Sequence, residues 1–116
     1  MDLFTYLLLG HLVGDFLFQS SWMAMNKAKQ WIPLLIHCII YTATVSIAIL
    51  IGGFSLSPFA VGILFFSHVI LDKRVFVVWW AKTFMSVTQP TGNWLIIVAD
   101  QVFHLLILGI IAHTFY

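Results

Sequence analysis

Residues 94–116 read WLIIVADQVFHLLILGIIAHTFY, a run long enough to cross a hydrocarbon core of about 30 Å, which takes about 20 apolar residues. Asp100 and His104 interrupt it, one helical turn apart. Positions four residues apart share a helix face. This segment is therefore expected to be an apolar helix that turns one polar pair toward a protected interior, because a bare carboxylate in hydrocarbon costs several kcal/mol.

The same spacing occurs twice more, in His11/Asp15 and His68/Asp72, so three of the four aspartates stand four residues from a histidine. With five histidines in the chain, random placement gives this with a chance of roughly one in five hundred. The pattern is a signal, and it sits in a greasy background: 62% hydrophobic and 8% charged residues, with a mean hydropathy of +1.06. Soluble domains average about 25% charged residues. The composition predicts an integral membrane protein. A formal charge of +1 offers no patch for nucleic acid, and none is expected as a partner. The single cysteine, Cys38, lies in an apolar run and reads as packing.

The chain punctuates into an all-α, four-helix membrane bundle forming one transmembrane domain over residues 1–116. The expected helices cover residues 3–20, 32–52, 58–74 and 93–115. The first run lacks a basic leader and a small-residue cleavage site, so it is expected to stay as a helix. Ser21 to Gln30 reads as a polar connection, Pro33 and Pro58 suit first turns, and Gly52-Gly53 ends the second helix. Residues 75–88 either extend the third helix or lie along the interface. Gln89-Pro90-Thr91-Gly92-Asn93 is expected to break the chain.

All lysines and arginines fall in the first and third connections, which share one side of a four-span topology. The positive-inside rule makes that side cytoplasmic and puts both termini on the non-cytoplasmic side; the five tryptophans map to the cytoplasmic side as an interfacial belt. At about 1.5 Å per residue, His11, Asp15, His37, His68, Asp100 and His104 fall in one layer, with Asp72 nearer the surface. That layer predicts one cluster of metal ligands: His11, Asp15, His37, His68, Asp72, Asp100 and His104. These exceed the four ligands of one zinc ion, which suggests two divalent ions, zinc being the best match to the donors. Two-metal centres commonly hydrolyse phosphate esters. Gln19, Tyr41, Lys73 and Gln101 adjoin the ligand candidates and are assigned supporting or substrate-binding roles, with Lys73 or Arg74 neutralising a phosphate. Lys27 and Lys29 are expected to set topology or meet anionic headgroups, His113 to be interfacial, and Asp2 to mark a helix N-terminus. Asp72 could equally be a solvated charge beside Lys73 and Arg74.

The runs Gly10-His11-Leu12-Val13-Gly14-Asp15-Phe16-Leu17-Phe18-Gln19, His68-Val69-Ile70-Leu71-Asp72-Lys73 and Asp100-Gln101-Val102-Phe103-His104 resemble an uncharacterised domain-of-unknown-function family of small bacterial and phage membrane proteins. That family is similar to membrane-bound metal-dependent hydrolases, and distantly to zinc-dependent phospholipase C and the single-strand nucleases of its fold group. The resemblance implies a multi-pass protein of the bacterial inner membrane, a metal-dependent phosphoesterase acting on a lipid or lipid-linked phosphate at the cytoplasmic leaflet. It carries over the seven ligand candidates by motif. Glutamate is absent here, so a family Glu ligand has no counterpart. A homo-oligomer is compatible with so short a chain. Three rivals compete with this reading: a divalent-metal or proton transporter, a bis-histidine haem protein, and a non-catalytic partner protein whose polar cluster fixes helix register.

Overall fold

The computed structural model describes residues 1–87 and 94–116. The expected break at Gln89-Pro90-Thr91-Gly92-Asn93, and residue 93 at the expected start of the last helix, lie outside the described residues. All regular structure among the described residues is helical: α1 (Leu3–Leu12) running into a π turn (Val13–Leu17), α2 (Ser21–Asn26), α3 (Trp31–Ile51), α4 (Pro58–Asp72), α5 (Val75–Phe84) and α6 (Trp94–Phe115). Six α-helices thus stand where four were expected.

Short polar side chains start several of these elements. The Thr5 N–H donates to Asp2 at the head of α1, the Met23 N–H to Ser20 before α2, and the Ala60 N–H to Ser57 before α4, where Pro58 takes the first turn. At the end of α3, Gly53 adopts φ 82°. The Phe54 N–H then donates to Ile49 O and the Gly53 N–H to Leu50 O. This is the paired closure that a left-handed residue permits.

Two expectations are corrected here. The helix expected over residues 3–20 leaves α-geometry at Val13 and ends at Leu17, and α2 starts at Ser21, inside the expected connection. The inserted π residue widens the turn around Asp15, a distortion that periodicity cannot reveal. Of the two alternatives for residues 75–88, extension of the third helix is not what α5 (Val75–Phe84) does, because Arg74 takes a left-handed φ of 66° between α4 and α5; residue 88 lies outside the described residues. The resulting α5 lays Val77 and Ala81 against Ile96 and Ala99 of α6.

Chain directions follow from shared contacts. One end joins Tyr6 to Phe54 and seats the Tyr116 hydroxyl between Ser55 and Ser57. It gathers the start of α1, the end of α3, the start of α4 and the end of α6. These four helices therefore alternate in direction. Between that end and the polar layer lies a plug of Leu7, Val45, Ile49, Leu64, Leu108 and Ile111. The helices approach closely through Gly10, where an added Cβ would lie 2.9 Å from Ala48 Cβ. The cations Lys27, Lys29, Lys73 and Arg74 all sit at the opposite end from the termini.

Two helices, α3 and α6, are long and apolar enough to cross a membrane. Large side chains such as Ile39, Ile47, Phe66, Ile70, Leu106 and Ile110 face outward. The apolar stretches Leu3–Leu17 and Pro58–Asp72 are shorter.

Candidate metal centre

Each of the three His/Asp pairs faces inward as the spacing requires, and contacts between helices join them. His37 Nε2 of α3 lies 3.0 Å from Asp15 Oδ1, 2.9 Å from His68 Nε2 and 3.0 Å from Asp72 Oδ2. His68 Nε2 of α4 is 3.4 Å from Asp15 Oδ1 and 2.9 Å from Asp72 Oδ2. Asp15, His37, His68 and Asp72 are all buried, and so form one group able to hold a metal ion; Asp72, Asp100 and His104 form a second. Asp72 belongs to both. Its Oδ2 faces the first group, while its Oδ1 lies 3.1 Å from His104 Nε2.

Hydrogen bonding fixes the protons around this arrangement. His104 Nδ1–H donates to the Asp100 carbonyl at 2.6 Å, so in the neutral imidazole the Nε2 lone pair points at Asp72 Oδ1. Two acceptors then face one another in a dry interior. Beyond the Lys27 ammonium at Oδ2 and the imidazoles around them, the Asp72 oxygens, His104 Nε2 and Asp100 Oδ1 have no hydrogen-bond partner. Buried polar atoms are ordinarily paired, so a cation between them matches this donor set. His37 Nδ1 and His68 Nδ1 are also buried without a hydrogen-bond partner.

A relay holds Asp15 in place. Gln101 Nε2–H donates to Asp15 Oδ2 at 3.1 Å, and Gln101 Oε1 accepts from His11 Nε2–H at 2.8 Å. His11 Nδ1 therefore accepts from the Tyr41 hydroxyl, at 2.8 Å. The relay occupies Oδ2 and leaves Oδ1 toward His37 and His68. Tyr41 also stacks on His68 at 3.7 Å between ring centroids.

His11 is thus in neither ligand group, since both its ring nitrogens are engaged. It lies 4.0 Å from the Asp15 carboxylate and supports it through Gln101. Tyr41 and Gln101 reach the centre as anticipated from their neighbours. Lys73 does not: its ammonium lies 4.4 Å from the Trp31 ring centroid. Gln19 is half-buried, and its Oε1 has no hydrogen-bond partner. Asp72, placed near the surface by its position at a helix end, is fully buried, enclosed by His37, His68, His104 and Lys27. Its cation is neither Lys73 nor Arg74 but Lys27, whose Nζ lies 3.0 Å from Oδ2.

Lys27 is the residue the sequence concealed. It sits at the end of α2 and is only 5% exposed. Ser20 followed by the apolar Trp22 and Met23 is a capping pattern that could have revealed α2, though nothing in the sequence pairs Lys27 with Asp72. His113 is exposed and Cys38 is buried and unpaired.

A family model described as a protein of unknown function, DUF3307, matches residues 3–116. The chain belongs to this family. It is the family that the three quoted runs resemble. No curated protein and no solved structure matches the chain.

Proposed function

We propose that the protein is a membrane-embedded, metal-dependent hydrolase, acting on the phosphoester of a lipid or lipid-linked phosphate. The observation that carries this reading is Asp72, which turns one buried carboxylate oxygen to each of two ligand groups. That is the disposition of a bridging ligand in a two-metal centre, the usual apparatus for phosphoester hydrolysis. Charge supports it too. Three buried aspartates face one buried ammonium, and the two negative charges left over balance the first divalent ion; a second ion would need an added anion, such as a substrate phosphate, to balance it.

Zinc is the ion we favour. A tetrahedral zinc site with arms of about 2.0–2.1 Å has ligand-to-ligand edges of about 3.3–3.4 Å, and the distances that His37 and His68 make within the first group run from 2.9 Å to 3.4 Å. Asp15, His37, His68 and Asp72 would hold one ion, and Asp72, Asp100 and His104 a second. A bound divalent ion supplies Lewis acidity and lowers the pKa of water. The protein's own part is to keep His104 in the tautomer that presents Nε2, to orient Asp15 through Gln101 and His11, and to exclude water with the apolar plug.

That plug also favours an enclosed centre over a transport pathway, which would require polar groups through the Leu7/Val45/Ile49 layer. In this reading α1 with its π turn, α3, α4 and α6 form a four-helix bundle in a bacterial inner membrane. The cationic end is cytoplasmic and the termini are outside. The 15-residue α4 spans about 22 Å, so the bilayer would thin locally around it.

The test is phosphate release from a panel of phospholipids and lipid phosphates by detergent-purified protein. Turnover abolished by a chelator and by Asp72→Asn supports the proposal. Protein that holds metal but turns over none of the panel contradicts the hydrolase assignment.

A further inference from the structure

Four of the chain's five lysines and arginines line a single pocket of about 610 Å³ at the cationic end: Lys27, Lys29, Lys73 and Arg74. None of the lining residues is acidic. Lys27 is already paired with Asp72, and the like charges of Lys29, Lys73 and Arg74 beside it are offset when an anion enters. Three further features point to an occupant. Arg74 Nε is buried without a hydrogen-bond partner, an unsatisfied donor on a guanidinium suited to oxyanions. Arg74 is also held at φ 66°, a conformation unfavourable for a side-chain-bearing residue and often stored at binding sites. The ten-residue α5 opens at this pocket with no side-chain cap, so the positive end of its dipole and its first N–H groups face the same space.

We propose that this pocket binds the phosphate group of an anionic ligand and delivers it to the metal centre. Lys27 joins the two, lining the pocket while its Nζ contacts Asp72. Apolar walls from Met25, Val75, Val78 and Trp79 fit the glycerol and upper acyl region of a lipid, as in basic pockets that take anionic headgroups. As a statement of substrate class this rests on the hydrolase reading, whereas the binding step requires no metal.

The experiment is calorimetric titration of the purified full chain in zwitterionic detergent, with chelator present throughout. The probes are dioctanoyl phosphatidylglycerol, dioctanoyl phosphatidylcholine and inorganic phosphate. The expected result is saturable binding of the phosphatidylglycerol that weakens as salt is raised, with little binding of the phosphatidylcholine. Lys29→Gln/Arg74→Gln should weaken it at least about tenfold, while Lys82→Gln, a cation outside the pocket, changes it less than about twofold. Displacement by inorganic phosphate would identify the phosphate group alone as the recognised element; lack of displacement would assign a lipid headgroup. Equal binding of both lipids, or no salt dependence, overturns the proposal even if the double variant fails to fold. Because chelator is present, failure here is separate from failure of the metal reading, which is read from metal content.

Discussion

Lys27 Nζ and Asp72 Oδ2 lie 3.0 Å apart with both side chains almost fully excluded from solvent. That oxygen is also within 3.0 Å of His37 Nε2 and 2.9 Å of His68 Nε2. The ammonium therefore occupies one flank of the carboxylate that the metal-centre reading makes central. A resident cation and an incoming one compete for it.

This competition sets opposite signs for two properties of Lys27→Met. Removing one partner of a buried ion pair costs about 3–5 kcal/mol, so the metal-free variant should unfold at a markedly lower temperature than wild type. Its metal affinity should rise, because the competing positive charge is gone. Thermal unfolding with and without added metal reads the first, and titration against a chelating indicator the second. A variant that is less stable and also binds metal more weakly would argue that Lys27 supports the site rather than competing for it.

Tyr41→Phe separates the hydroxyl from the ring. The ring stacks on His68 and stays, whereas His11 Nδ1 loses its donor. An unsatisfied buried acceptor costs about 1–3 kcal/mol, so stability should fall by that amount while metal is retained. Tyr41→Ala should be worse on both counts. Equal stabilities for wild type and the Phe variant would mean that the hydroxyl does not hold His11.

Gly10→Ala tests the approach of α1 to α3. The new methyl would meet Ala48 Cβ at 2.9 Å and Val45 Cα at 3.1 Å. The helices must separate, and overpacking of this kind costs about 1–3 kcal/mol. Gly62→Ala, where nothing lies within 4 Å, should be neutral or slightly stabilising. Chemical unfolding of the pair distinguishes the sites, and identical midpoints would contradict the packing at Gly10.

The spacing of His11/Asp15, His68/Asp72 and Asp100/His104 made the polar layer legible, because helical periodicity alone decides which residues share a face. His37, Tyr41 and Gln101 followed from depth and adjacency. What periodicity could not deliver were the events that break it. The π turn falls between His11 and Asp15, and both His11 ring nitrogens are taken by Tyr41 and Gln101 although the ring lies beside Asp15 and His104. The break after Leu17 and the left-handed Arg74 start α2 and α5 where the run suggests none, and Lys27 at the end of α2 helps bury an Asp72 that its position in the run places near water. Lys27 was read as a topology signal for the same reason: in sequence it is a cation in a polar connection, and only the folded α2 carries it inward.

Metal content of detergent-purified protein, measured by plasma mass spectrometry beside Asp72→Asn and His104→Gln, tests the centre most directly. Wild type should hold about two equivalents of a divalent first-row metal, His104→Gln about one, and Asp72→Asn almost none, because Asp72 alone serves both groups. No metal in wild type after reconstitution with zinc, or undiminished metal in Asp72→Asn, would contradict the bridged centre.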